Sequence, residues 1–254
     1  MVTEPFAPPA AVLAGFPVDR TTFESWPVFT LSPPGGGSRG TIFYLHGGGH
    51  ATELSPLHWS FLVKLVTATG WSAVVPVFPL APTATHRDVQ PVLKRLYEKQ
   101  PEGRVAIVGD SSGGGLALAL AQALAKDRRP EQLILLSPWL DATMENPEIA
   151  VLEPVDPFST KAGMVRFARQ FAGADPLSSP SLSPVRGPLE DLGRITVFAG
   201  SVDILTPDAR VLRDQAGPGT TVDLREYPGK THMWMLLSEP DGAAIVEEIH
   251  RALA

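Results

Sequence analysis

Short apolar runs alternate with longer stretches of helical spacing along most of this 254-residue chain. Residues 41–45, 72–78, 104–108, 132–136 and 194–199 read as strands. The runs VAIVG and LILL show no polar alternation, as expected of strands buried on both faces. Residues 57–69, 86–99, 162–172, 207–215 and 239–253 repeat their apolar positions with helical period, and an alanine- and leucine-rich helix follows residue 111. Residues 24–31 form a further strand candidate weakened by Pro27, and 221–227 alternates like a half-buried strand. Residues 1–23 read as an irregular or partly helical leader. Strands alternating with helices predict an α/β fold, with right-handed crossovers and a mostly parallel sheet covered on both faces.

The 26 prolines and 23 glycines fall between these segments and so punctuate one domain, 1–254, with no linker or repeat. Residues from about 141 to 173, of which 141–160 shows no clear period, and the leader 1–23 are the expected lid segments, because long irregular stretches in compact domains often cover active sites. Residues 221–227 are expected at the sheet edge, where they could pair with a second copy in a homodimer.

Charge and composition exclude several classes. A net charge of −6 gives no electrostatic reason to bind nucleic acid or an anionic membrane. The absence of cysteine removes disulfides, a thiol nucleophile and thiolate metal sites. No histidine and carboxylate cluster has metal-ligand spacing, so no metal is expected. No apolar run is long enough to span a bilayer. Glu4 stands where an export signal would carry Lys or Arg, so a cytoplasmic location is expected.

The chemistry-bearing signal is Gly109-x-Ser111-x-Gly113 between a buried strand and a small-residue helix. A serine on so tight a turn is exposed above the sheet, and only small neighbours fit around it. Such a nucleophile needs a base, and the base an orienting acid. His232 lies in a loop after the last strand candidate; His58, His86 and His250 read as surface or capping residues, and His50 is ambiguous. Asp203 follows the strand ITVFA and is the expected acid. Asp208 is the fallback, since it sits where a carboxylate stabilises a helix start for local reasons alone. Asp110 is expected to fix loop backbone, and Asp141 to be structural. His46-Gly47-Gly48-Gly49 ends its own strand, where glycines let backbone N–H groups face a developing oxyanion.

These motifs together resemble the hormone-sensitive-lipase-like esterases of the α/β-hydrolase superfamily. The resemblance rests on HGGG at 46–49, GDSSGG at 109–114, Asp203-Ile204-Leu205 and His232, and spans roughly residues 40–250. FPLAP at 78–82 and LSPWLD at 136–141 add to it. It implies hydrolysis of small, short-chain acyl esters without a cofactor, by Ser111, His232 and Asp203. It also implies an oxyanion hole built from the N–H groups of Gly48, Gly49 and Ser112. His46 would be structural. His50 stands where the family often has an aromatic residue, and His50, Trp139 and Trp234 are candidate substrate contacts. A lactonase, an arylformamidase or another amide hydrolase on the same residues is the alternative, followed by a non-catalytic ligand receptor.

Overall fold

The computed structural model describes residues 5–101 and 103–254. Helix α1 (Ala10–Gly15) precedes an antiparallel pair, β1 (Val18–Phe23) and β2 (Trp26–Leu31). Then β3 (Thr41–Leu45), α2 (Pro56–Thr69), β4 (Ser72–Pro76), α3 (His86–Glu98), β5 (Val105–Asp110), α4 (Ser112–Ala123) and β6 (Gln132–Leu136) follow in alternation. The irregular stretch after β6 carries α5 (Ile149–Leu152) and α6 (Lys161–Ala172). Finally β7 (Gly193–Gly200), α7 (Thr206–Asp214), β8 (Thr220–Tyr227), α8 (Trp234–Leu237) and α9 (Glu239–Leu253) complete the chain.

The eight strands form one sheet in the order β1-β2-β4-β3-β5-β6-β7-β8, parallel from β4 to β8. Successive side chains point to opposite faces. Phe43, Leu45, Ile107 and Leu135 therefore join α3, α4 and α7 in one core, while Ile42, Tyr44, Val108 and Ile134 join α2 and α9 in the other. Both faces are covered, which explains why the central strands read as unbroken apolar runs. Among the described residues, no helix is long and apolar enough to cross a membrane.

The strand order reverses beside β3: the chain runs from β3 to β4 on one side, then back past β3 to β5 on the other. Loops leaving the carboxyl ends of β3 and β5 diverge there and leave a crevice, the usual ligand position in an open α/β sheet. HGGG follows β3 and Ser111 follows β5, so topology alone brings these two motifs together.

One element departs from expectation. The leader is not merely irregular, since Val18–Phe23 is an edge strand whose residues pair from Val18 with Leu31 to Phe23 with Trp26. Its central residues Asp19, Arg20, Thr21 and Thr22 are exposed, so no apolar face marks it in the sequence. Pro27 is tolerated in β2 beside it, and β8 does lie at the opposite edge.

Candidate active site

Ser111 sits between β5 and α4 with φ 50° and ψ −121°, a conformation that costs a non-glycine residue about 1–3 kcal/mol. Packing holds it there. A Cβ on Gly113 would lie 2.1 Å from the Leu45 carbonyl oxygen, and one on Gly109 2.3 Å from that of Gly113. Glycine at 113 therefore lets the turn press against the end of β3, and glycine at 109 lets β5 meet the start of α4. The Ser111 N–H donates to Leu136 O at 2.8 Å, and Trp139 N–H donates to Ser111 O at 2.9 Å, tying the turn to the neighbouring strand end.

His232 comes from the loop between β8 and α8. Its Nε2 lies 3.0 Å from Ser111 Oγ and its Nδ1 2.9 Å from Asp203 Oδ2. A carboxylate only accepts, so Nδ1 carries the proton and Nε2 is free to accept from the serine hydroxyl. Asp203 is fully buried, and its second oxygen accepts from the Leu205 N–H at 2.9 Å. The acid and histidine loops are pinned to each other: Val202 N–H donates to Lys230 O at 3.0 Å and Gly229 N–H to Ser201 Oγ at 2.9 Å. Burial disfavours a charged imidazole. The Asp203 carboxylate outweighs it, with Asp156 and Asp110 farther off, and holds the His232 pKa above the ordinary 6.5.

Gly48 (φ 105°) and Gly49 (φ 62°) line the same cavity as Ser111 and His232. Among the described residues, no protein group accepts from the N–H of Gly48, Gly49 or Ser112. The Ser112 hydroxyl instead accepts from the His50 N–H at 3.2 Å, bracing the glycine loop against α4.

Residues 42–236 match the alpha/beta hydrolase fold family. This chain belongs to that family. An acetyl-hydrolase of Streptomyces hygroscopicus is 33% identical over 204 residues, which span 76% of this chain and 68% of that protein. An esterase of Acinetobacter venetianus is 27% identical over 203 residues, spanning 76% of this chain and 66% of that protein. The crystal structure of an esterase from the bacterial hormone-sensitive lipase family superposes with a TM-score of 0.86 at 26% identity, covering 94% of this chain and 84% of that one. The hydrolase is a carboxylesterase-type serine enzyme of this hormone-sensitive-lipase-like group.

The cavity of the hydrolase measures about 380 Å³. Phe158, Met164 and Phe167 roof it, all from the expected lid segment 141–173, and Leu57, Leu236 and Leu237 add apolar wall. Phe167 rests directly on the glycine loop, 3.3 Å from where a Gly49 Cβ would stand. No described residue of the other expected lid, 1–23, lines the cavity.

The three candidate substrate contacts do not line it either. His50 is half-buried beside the glycine loop, stacked at 3.9 Å on Phe171 of α6 and at 5.7 Å on Trp139. Burial lowers its pKa to about 3, so it packs as a neutral aromatic where the family often has one. Trp139 donates its ring N–H to Asp141 O at 3.0 Å, and Trp234 packs on Tyr227 at 5.2 Å in the α2 and α9 core. Their positions near the motifs in sequence suggested contact, but each side chain faces protein.

Asp208 is away from the imidazole, bonded to Asn146 Nδ2 at 2.9 Å. Asp141 accepts from Arg186, Thr143 and Ser183, the structural role expected of it. His46 is structural too, with Nδ1 donating to Gly47 O at 2.7 Å. Asp110 and His58 differ from expectation. Asp110 holds side chains, not loop backbone: it accepts from Tyr44 Oη at 2.6 Å and faces His58 Nε2 at 3.4 Å. His58 does cap α2, where its Nδ1 accepts from the Ser55 N–H at 3.1 Å, yet it also lines the cavity. Burial works to raise the Asp110 pKa, but His58, Tyr44 and His46 together hold it below the usual carboxylate value. Tyr44 shows in the sequence only as one more apolar strand position, so nothing there pointed to this buried network. His86 is likewise no surface residue, since it is buried against Asp175.

Proposed function

We propose that the hydrolase cleaves small, short-chain acyl esters through an acyl-Ser111 intermediate. Ser111 Oγ bonds to the ester carbonyl carbon while His232 Nε2 takes the hydroxyl proton. The oxyanion is held by the N–H groups of Gly48, Gly49 and Ser112. His232 then gives the proton to the departing alcohol as the ester C–O bond breaks. Water attacks the acyl-serine by the same route and restores Ser111 as the acid is released. Asp203 orients the imidazole and stabilises its charged form.

The observation that carries this reading is the unbroken hydrogen-bond chain from Ser111 through His232 to Asp203 at the floor of a cavity. The three N–H groups without a protein partner support the oxyanion assignment. A short acyl chain is favoured because the cavity is small and Phe167 stands over the glycine loop.

Hydrolysis of p-nitrophenyl acetate, butyrate, octanoate and laurate by wild type and Ser111→Ala tests both parts. Turnover should fall with chain length and vanish in the variant. Activity retained in Ser111→Ala would overturn the nucleophile assignment, and a preference for laurate the chain-length assignment.

A further inference from the structure

One carboxylate joins the roof of the cavity to the loop that carries the catalytic acid. Asp156 lies between α5 and α6. Its Oδ1 accepts from the Phe158 N–H at 2.8 Å and the Ser159 N–H at 3.1 Å, the turn from which Phe158 reaches the cavity mouth. Its Oδ2 accepts from the Ile204 N–H at 3.0 Å. The next amide, Leu205 N–H, is held by Asp203 itself. Two carboxylates thus grip consecutive amides of one loop. One faces His232 and the other holds the roof.

Packing reinforces the connection. Ile204 and Leu205 are fully buried in a cluster with Trp139, Ile149 and Met164, which unites the acid loop with α5 and α6. The acid loop also closes on itself, Asp203 N–H donating to Gly200 O and Thr206 N–H to Asp203 O, each at 3.1 Å, and the roof segment adds a tie at the next residue. The Ile204 amide is held by the roof segment, and the Ile204 and Leu205 side chains share one buried cluster with it.

We propose that Asp156 is a positioning residue of the esterase reaction: it sets the acid loop against the roof, so that Asp203 meets His232 only when the roof is seated. The inference rests on the proposed roles of Ser111, His232 and Asp203. Asp156 touches no reacting atom and acts in two ways. It fixes the amide next to Asp203, and its negative charge adds to those of Asp203 and Asp110, the other carboxylates acting on the imidazole. Both effects favour the imidazolium that forms as Ser111 attacks. Coupling roof and acid in this way would also tie catalytic competence to enclosure of the substrate.

Asp156→Asn and Asp156→Glu separate the two effects. Asparagine keeps one oxygen for Phe158 and Ser159 but turns an N–H2 group toward the Ile204 N–H and removes the charge. Glutamate keeps the charge with the wrong reach. Rates on p-nitrophenyl acetate are measured per active site, counted by titration with a serine-reactive phosphonate, across pH 5 to 9. For Asp156→Asn, kcat should fall about tenfold with KM within about twofold, since displacing a catalytic group by 1 Å can cost about a hundredfold. Its acidic limb should move to lower pH. For Asp156→Glu, kcat should fall while the acidic limb stays near that of wild type. Wild-type kcat and acidic limb in Asp156→Asn, or losses fully accounted for by fewer titratable sites, would overturn the proposal. Failure of the underlying reading shows separately, as phosphonate-insensitive turnover by the wild-type enzyme.

Discussion

Replacing Asp203 by asparagine tests the assignment of the acid most sharply, because Asp208 stands only five residues away. Asp203 uses both oxygens: Oδ2 accepts from His232 Nδ1 at 2.9 Å and Oδ1 from the Leu205 N–H at 2.9 Å. An asparagine must satisfy the buried Leu205 amide with its one carbonyl oxygen. Its N–H2 group then faces His232 and forces Nδ1 to accept. The imidazole proton moves to Nε2, where it points at Ser111 and cannot receive the hydroxyl proton. The same wrong tautomer lowers kcat about 10⁴-fold in serine hydrolases with this arrangement, or about 5.4 kcal/mol of transition-state stabilisation. The fold should survive, since asparagine is isosteric and no buried charge is left unpaired. The assay is hydrolysis of p-nitrophenyl acetate with Asp203→Asn and Asp208→Asn in parallel, each checked by thermal unfolding. Asp208→Asn should stay within about threefold of wild type, because Asp208 has no bond to the imidazole. More than a tenth of wild-type kcat in Asp203→Asn, or a large loss in Asp208→Asn, would refute the reasoning.

Asp208 has its own signature in stability. Burial raises its carboxyl pKa from 3.8 to about 6, and its Oδ2 has no partner among the described residues. A raised carboxyl pKa contributes stability below the unfolded value, and this is lost as pH rises through the folded one, by up to about 3 kcal/mol here. The Tm advantage of Asp208→Asn over wild type should therefore grow between pH 4 and pH 7, and a constant difference would contradict this. Turnover needs neutral His232, whose pKa is raised, so activity should fall in acid with a midpoint above 6.5; a flat rate from pH 5 to 8 would oppose the assignment. Phe167→Ala removes the ring that rests on the glycine loop and should shift preference toward longer acyl esters, visible as a higher octanoate-to-acetate ratio of kcat/KM. Gly113→Ala places a Cβ 2.1 Å from Leu45 O, so circular dichroism melting should show a loss of at least about 3 kcal/mol, and a wild-type Tm would mean that the turn can relax.

Local pattern was enough to single out the Ser111 turn and the candidate order Ser111, Asp203, His232, because the turn needs small residues at fixed spacing and each partner follows a strand. A serine with φ 50° demands small neighbours, and these appear as Gly109 and Gly113. The strands β3, β5 and β6 were legible because both faces of the sheet are covered. Strand β1 was not, because it lies at an edge with its central residues in solvent. Other features carry no local signature. His50, Trp139 and Trp234 stand beside the motifs in sequence, yet all three point into protein. Conversely, His58 reaches the cavity from a helix start that nothing local connects with Ser111, and the lid expectation for 141–173 did not single out Phe158 or Phe167 within it.

The amino-acid sequence by itself determined the α/β architecture and singled out Ser111, His232 and Asp203 as the candidate triad, since these follow from periodicity and from motifs read along the chain. Only the tertiary structure decided which carboxylate meets His232, which side chains wall the cavity, and that Asp156 bonds to the loop carrying Asp203. Those are contacts between segments tens to more than a hundred residues apart, such as Ser111 with His232, 121 positions on. Side-chain direction at such a meeting is set by the packing of whole helices on the sheet, and no short stretch of sequence encodes it.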